Sequence, residues 1–379
     1  MKKTRVLILF SDTGGGHRSA SEAIAEALGL EFGDSVSAEM VDFFKDYAPI
    51  PFNKMPELYP QLIKSPQLWK AGFYATDGRK RARALTAMFR PYAARAMKKM
   101  FANHPSDAIV TTHYAVNSVG LWALGKKRTR RFISVVTDPV TTHALWFDQR
   151  ADLILVPTEY ARERAIAYDM SPEKVFVVGQ PVAERYCAPP GDKRALREKL
   201  GWPQDKKIAL LVGGGEGMGP IERNADAIDE SGLDLGLAIV AGRNEKLKAK
   251  LDARKWRVPT RVYGFTRDLP DFMRAADMVI TKAGPGTIAE ALIAGLPIIL
   301  NSRLPGQEDG NVTYVQKERV GVWAPRSDRV ARALAKWIED PQERERFSEN
   351  CRRAARPESA RIIARFIGSQ VGLCEEPSL

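Results

Sequence analysis

The sequence predicts an α/β protein of two Rossmann-like domains that face each other across a cleft. Three observations predict it. Apolar, β-branched runs alternate with helical patterns along the chain, as parallel strands joined by crossover helices require. That alternation runs through once, breaks near residues 183–195, where the Pro/Gly step "CAPPGDKRALREKLGW" begins, and starts afresh. Finally, 379 residues with 44% hydrophobic content are ample for two cores. The domains are expected at 1–185 and 186–345, with 346–379 a helical tail that packs back toward the first.

The first series of strands is read in "RVLILF", "SAEMVDFF", "DAIVTTH", "RFISVVTD", "LILVPT" and "KVFVVGQP". The second is read in "KIALLVGGG", "GLAIVAGR", "TRVYGF", "MVITKAG", "LPIILN" and "GVWA". Residues 47–75 break the pattern with five prolines and six aromatics, and are expected to form a long excursion on the rim of the first domain. No internal repeat or low-complexity tract is visible.

Composition excludes several classes. The opening "MKKTRVLILF" has an apolar run of about five residues, too short for a signal peptide, and no run approaches the roughly 20 residues of a membrane span. The first strand starts at once, so a bacterial chain without a targeting extension is expected. Cys187, Cys351 and Cys374 have neither pairing nor metal-ligand spacing, which fits a reducing cytoplasm. Net charge is +12, and residues 77–101 concentrate it with eight basic residues against one acid. Leu85, Met88, Phe89, Tyr92, Met97 and Phe101 interleave with those charges, the composition of a surface helix attracted to polyanions. A plain solvated helix is the alternative; nucleic acid is disfavoured because no recognition motif accompanies the charge.

"SDTGGGHRSASEAIAEAL", residues 11–28, joins the first strand to a helix. Gly14, Gly16 and Ser19 nearly satisfy a dinucleotide fingerprint, with Asp42 as its ribose acid, but the third glycine is missing. Ala20, Ala23, Ile24, Ala27 and Leu28 share one helix face, and Ser19 with Glu22 is expected to make a capping box. His17 then lies just before the cap and points into the cleft. It is read as a general base with a pKa near working pH, a cap or surface histidine being the alternative. Gly15 and Gly16 remove side chains that would block a substrate beside it.

The second series carries its own glycines. Gly213, Gly214, Gly215, Gly217 and Gly219, around Met218 in "LLVGGGEGMGP", let backbone amides approach an anion. In "MVITKAGPGTIAEALIAGLPIILN" the loop of Lys282, Gly284 and Gly286 opens into a helix whose N-terminus, with Thr287, suits a diphosphate. Glu290, one turn inside, suits a ribose diol. Gln307 and Glu308 in "LPGQEDGN" suit sugar hydroxyls, a surface turn being the alternative. Together these features read as a nucleotide-sugar site.

The motifs "SDTGGGHRSASEAI", "GGGEGMG", "ITKAGPGTIAEALIAGLPIIL" and "PGQEDGN" resemble those of monogalactosyldiacylglycerol synthases and the related bacterial diacylglycerol glucosyltransferases, of the GT-B class. The resemblance runs from about residue 5 to about 325. It implies a UDP-hexose donor and inverting transfer to the 3-hydroxyl of 1,2-diacylglycerol. It also implies His17 as base, and Gly214, Gly215, Gly217, Met218, Gly219, Gly286 and Thr287 on the diphosphate. Glu290 matches the ribose ligand, Gln307 and Glu308 the sugar contacts, and Phe265 with Thr266 the stretch bordering the uracil. "VTDPVTTHALW" resembles an acceptor segment, so Asp138 is expected to orient His17, and His143 and Trp146 to contact acceptor, with His113 a further candidate and His104 structural.

On this reading His17 takes the acceptor proton as the oxygen attacks C1, while glycine-loop amides and a helix dipole hold the departing UDP. The chain contains no Asp-X-Asp pair, so no metal and no cofactor is expected. Diacylglycerol implies an anionic membrane surface met through residues 77–101, and a peripheral position on the cytoplasmic face of the cell membrane. No obligate protein partner is expected. The rival readings are a transferase using a polyprenyl-linked or sterol acceptor, a UDP-sugar epimerase, which needs further acids around the sugar, a UDP-sugar sensor, which has no use for His17, and a nicotinamide dehydrogenase, which leaves "KAGPGTIAEA" unexplained. "AGPGTIAEA" leans toward galactose over glucose.

Overall fold

The computed structural model describes residues 3–13, 15–50, 52–55, 57, 58 and 65–378. Gly14 of the opening turn, and residues 51, 56 and 59–64 of the proline-rich excursion, lie outside the described residues. The chain divides into two compact units, Met1–Glu184 with Leu304–Gly310 and Glu358–Leu379, and Arg185–Arg303 with Asn311–Pro357.

Each unit holds one six-stranded sheet whose paired strands are all parallel. In the first, the strands are β1 (Thr4–Phe10), β2 (Val36–Asp42), β3 (Ala108–Thr111), β4 (Arg131–Val135), β5 (Leu153–Val156) and β6 (Val175–Val177), in the order β2-β1-β3-β4-β5-β6. In the second they are β7 (Lys207–Val212), β8 (Leu235–Val240), β9 (Thr260–Tyr263), β10 (Met278–Lys282), β11 (Ile298–Ser302) and β12 (Gly321–Trp323), in the order β12-β11-β10-β7-β8-β9. The two Rossmann-like domains read from the sequence are both present, strand for strand.

The near-continuous apolar runs are explained by helices on both faces of each sheet. Side chains alternate across a strand, so in β1 Val6 and Ile8 enter one core while Leu7 and Leu9 enter the other. In β7 the same alternation sends Ile208, Leu210 and Val212 one way and Ala209 and Leu211 the other.

The boundaries at the chain's end differ from the expected ones. Helix Pro341–Ala354 belongs to the second unit, where Cys351 is fully buried. Only helix Ser359–Gln370 packs on helix Gly16–Phe32 of the first, so the tail divides at Glu358 and not at 346. Arg361 and Arg365 fix it there by pairing with Glu31 at 3.1 and 2.7 Å. Leu304–Gly310 also counts with the first unit, although sequence order puts it in the second.

The excursion contains a helix, Pro66–Thr76, that buries Phe73 and exposes Leu68 and Tyr74. The basic stretch is one helix, Arg79–Asn103, with Pro91 inside it. Met97 and Phe101 are core residues, whereas Met88 and Tyr92 are 58% and 66% exposed. Arg79 pairs with Asp169 at 2.5 Å and the Arg90 guanidinium lies 3.9 Å from the Trp122 ring centre, but Lys80, Arg81, Arg83 and Arg95 face solvent. Among the described residues no helix is long and apolar enough to cross a membrane.

Candidate active site

In an open parallel sheet, loops after strands on either side of a reversal of strand order diverge and leave a crevice. In the first sheet the reversal lies between β1 and β3, and the residues that follow those strands are the opening turn and Thr112–His113. In the second it lies between β7 and β10, followed by the glycine loop and Lys282–Gly286. Both candidate sites therefore stand where their own sheet makes room.

In the first unit, Gly15 takes a left-handed φ of +75° and the helix begins at Gly16, earlier than expected. The Ser19 amide bonds to the Gly15 carbonyl at 3.0 Å, so Ser19 lies inside the helix and no side chain caps it. The predicted Ser19–Glu22 capping box is replaced by a glycine turn, and His17 is the second helical residue. Asp42 accepts the Asp12 and Lys45 amides at 2.9 and 3.1 Å; it staples this loop and is not a ribose acid.

The His17 ring is held by Thr112. Nδ1 lies 2.6 Å from the Thr112 carbonyl oxygen, with Thr137 Oγ1 at 3.2 Å. A carbonyl only accepts, so Nδ1 carries the proton and Nε2 of the neutral ring keeps its lone pair. Thr112, fully buried, also donates from Oγ1 to the His17 carbonyl at 3.3 Å and meets Ser21 Oγ at 2.8 Å. Burial pushes the His17 imidazole down to about 4, against the smaller opposing effect of the Thr112 bond. The base expected to titrate near working pH is instead neutral throughout that range.

Asp138 does not orient it. The buried Asp138 carboxylate accepts Trp146 Nε1 at 2.7 Å and Gln307 Nε2 at 3.3 Å, and burial raises its pKa to about 6. Trp146 has no exposed surface, so the expected acceptor contact gives way to a core role beneath the site. His143 is buried with Nδ1 accepting the Leu145 amide at 3.2 Å and Nε2 3.1 Å from Thr76 Oγ1. His113 caps helix Tyr114–Leu124, accepting the Ala115 amide at 3.3 Å, with its ring centre 4.5 Å from that of His17. His113 is a wall residue beside His17, whereas His143 packs on Phe73 and Tyr114, and burial lowers the pKa of each histidine. Glu308 is buried, and its carboxylate accepts the Leu304 amide at 2.7 Å. His104, bonded to Tyr47 and Glu39 at 2.8 Å each, is structural.

In the second unit the loop after β7 is folded on itself. The amides of Gly217 and Met218 bond to the Gly214 and Gly213 carbonyls at 3.1 and 2.7 Å, so these two are engaged within the loop. Gly214, Gly215 and Gly219 complete it, Gly214 and Gly219 with positive φ. Gly284 caps helix Pro285–Ile293, and the Lys282 side chain lies over it: a Cβ at Gly284 would meet Nζ at 2.8 Å. Gly286 and Thr287 form the first turn, Gly286 with open space around it. Glu290 is raised to about 7 by burial, moderated by Arg185 and by a hydrogen bond from Tyr186. Phe265 is 58% exposed beneath the Arg243 guanidinium, 4.2 Å from its ring centre. Thr266 caps the next turn by accepting the Asp268 amide at 3.0 Å. Among the described residues, no three His, Cys, Asp or Glu side chains are grouped to hold a metal ion.

Thr112, Thr137, Arg185, Tyr186 and Arg243 were not singled out from sequence. For Thr112 a signal existed: it directly follows β3 at the strand-order reversal. The others depend on tertiary packing alone.

Comparisons with known proteins follow this geometry. The family described as monogalactosyldiacylglycerol (MGDG) synthase matches residues 17–182, and glycosyl transferases group 1 matches residues 192–354. A probable monogalactosyldiacylglycerol synthase 3 of Oryza sativa subsp. japonica is 39% identical over 373 residues, covering 96% of this chain and 73% of its own. Monogalactosyldiacylglycerol synthase 2 of Arabidopsis thaliana is 37% identical, covering 96% and 80%. Among solved structures, Acinetobacter baumannii MurG aligns at TM-score 0.62 with 15% identity over 97% of this chain and 100% of that one. The UDP-GlcNAc 2-epimerase of Neisseria meningitidis bound to UDP-GlcNAc aligns at 0.61 with 14% identity over 95% and 98%. These last two are likenesses of fold.

Proposed function

Because the chain belongs to the monogalactosyldiacylglycerol synthase family, we propose that this glycosyltransferase moves a hexose from a UDP-sugar, galactose before glucose, to the 3-hydroxyl of 1,2-diacylglycerol with inversion. The observation that carries the proposal is the His17 imidazole, whose Nδ1–H is committed to Thr112 so that Nε2 is the proton acceptor. A ring neutral above about pH 4 is always in its reactive form. The same burial weakens it as a base, so much of the barrier must be lowered at the leaving group. The amides of Gly214, Gly215 and Gly219, the first turn at Gly286 and Thr287, and Lys282 are the groups that meet the UDP diphosphate, without metal or other cofactor. Glu290 holds the ribose diol, Phe265 and Thr266 border the base, and Gln307 and Glu308 serve the hexose.

The acceptor is drawn from an anionic membrane at the cytoplasmic face. Supporting this, helix Arg79–Asn103 turns basic side chains and the apolar Met88 and Tyr92 to solvent, beside Leu68 and Tyr74 of helix Pro66–Thr76. Each basic residue near such a surface contributes about 1 kcal/mol. The test is to incubate the protein with diacylglycerol in anionic liposomes and each labelled UDP-sugar, then identify the glycolipid. A β-galactolipid is expected; transfer only to a polyprenyl-linked acceptor overturns the assignment. Sedimentation with neutral and anionic vesicles checks the membrane step, since equal binding to both removes the electrostatic part.

A further inference from the structure

β1, β3 and β4 are neighbours in one parallel sheet, so they begin on the same edge, opposite the ends from which the His17 turn departs. Two adjoining cavities open at that starting edge. One, of about 390 Å³, is lined by Lys3, Ser106, Arg130 and Arg131 among others. The other, of about 350 Å³, is lined by Lys98, Lys127, Arg128 and Arg130. Arg130 borders both. The charge comes largely from "GKKRTRR", residues 125–131, which the transfer reaction does not use.

This charge is under-compensated. Asp152 pairs with Arg128 at 2.7 Å and reaches Arg131 at 3.5 Å, and Asp107, the one acid lining either cavity among the described residues, gives one carboxylate oxygen to the Arg5 amide at 2.9 Å. Among the described residues, no carboxylate pairs with Lys98, Lys127 or Arg130. Arg130 is nevertheless held in place, donating from Nη1 to the Phe101 carbonyl at 3.1 Å and lying over the Phe101 ring. Independently of the charge, Ser106 is 8% exposed, its hydroxyl has no hydrogen-bond partner, and it lines the first cavity. A buried hydroxyl left unpaired is costly, and an oxyanion in the cavity would satisfy it.

We infer that this edge is a second ligand site, which takes a soluble, multiply charged phosphoryl anion on Arg130, Lys127, Lys3 and the Ser106 hydroxyl. A bilayer is the poorer occupant. Among the described residues, none of the exposed large apolar side chains lines either cavity, and a bilayer on this edge would stand roughly 20 Å of strand away from His17.

Calorimetry tests the site with inorganic pyrophosphate titrated into protein saturated with UDP, so that the donor site is already filled. One pyrophosphate per chain is expected to bind. Lys127→Glu, at an exposed position, should weaken it about tenfold, as loss of a charged hydrogen-bond partner does. Ser106→Ala should weaken it several-fold. No binding in the presence of UDP, or the same affinity in both variants, overturns the inference. So does a Lys127→Glu protein that loses binding to phosphatidate vesicles while keeping pyrophosphate, which would assign the charge to a membrane.

Discussion

The opening turn of the first unit and the loop after β7 of the other unit share one sequence pattern: a strand, three glycines, a helix. Their glycines serve opposite ends. A Cβ added at Gly15 or Gly16 would meet nothing within 4 Å. At Gly213 it would strike Ile221 Cδ1 at 2.1 Å, and at Gly217 the Ala241 carbonyl oxygen at 2.0 Å. The loop after β7 needs glycine because backbone packs on backbone there, and the opening turn because space beside His17 is left empty. A glycine-rich loop is thus no evidence of a phosphate site until its packing is known.

The largest expected effect removes the group that the empty space surrounds. His17→Ala should lower turnover by about 10²- to 10⁴-fold, the usual contribution of a general base. UDP binding, which the proposed function gives to the second unit, should stay unchanged by calorimetry. Turnover near wild type removes His17 from the base role.

Next is the packed loop. Gly217→Ala puts a methyl group against a carbonyl at a φ of +62°, so strain and overpacking together should cost about 3 kcal/mol. Urea unfolding of the variant should show that loss, together with weakened UDP binding. An unperturbed midpoint would mean that the loop opens easily, and the contrast between the two turns would fall with it.

The pH dependence sharpens the comparison within the first unit. With His17 lowered to about 4 and Asp138 raised to about 6, the profile of kcat/KM separates the two. A rate that holds as pH falls through 6 and declines toward 4 follows the imidazole; a decline centred at 6 transfers the base role to Asp138. Stability carries its own sign. A histidine depressed on folding binds its proton more readily unfolded, so the contribution of His17 and His143 is complete above 6.5 and is lost as pH falls toward 4. The raised Asp138 and Glu290 act oppositely, favouring the fold while protonated and losing that advantage as pH rises through about 6 and 7.

Most of the strands, β1, β7, β8 and β10 among them, were legible because each is an apolar run buried on both faces, and burial on both faces leaves a mark in every residue. The positions of His17 and Gly284 were legible because each sits at a strand end or helix start, where local sequence sets position. Among what failed were two hydrogen-bond pairings made by side chains. Asp138 was expected to orient His17 because "VTDPVTTHALW" resembles an acceptor segment, whereas the fold gives Asp138 to Trp146 and Gln307, and His17 to a backbone carbonyl. A carbonyl has no sequence signature. The Ser19–Glu22 cap failed for a similar reason, since a left-handed Gly15 starts the helix without needing a side chain.

The smallest change asks whether the emptiness beside His17 has a use. Gly16 is exposed, is the first residue of the helix, does not have positive φ, and has open space where a Cβ would stand. Gly16→Ala therefore restricts the unfolded chain without native strain and should stabilise the protein by about 0.5 kcal/mol. Gly15→Ala, at φ +75°, should instead cost about 1 kcal/mol. If the space admits the acceptor, the Gly16 methyl raises KM for diacylglycerol several-fold while leaving KM for the UDP-sugar alone. A variant that is more stable and equally active would mean that the glycine only makes the turn, and the glycines of the two units would then differ in necessity but not in purpose.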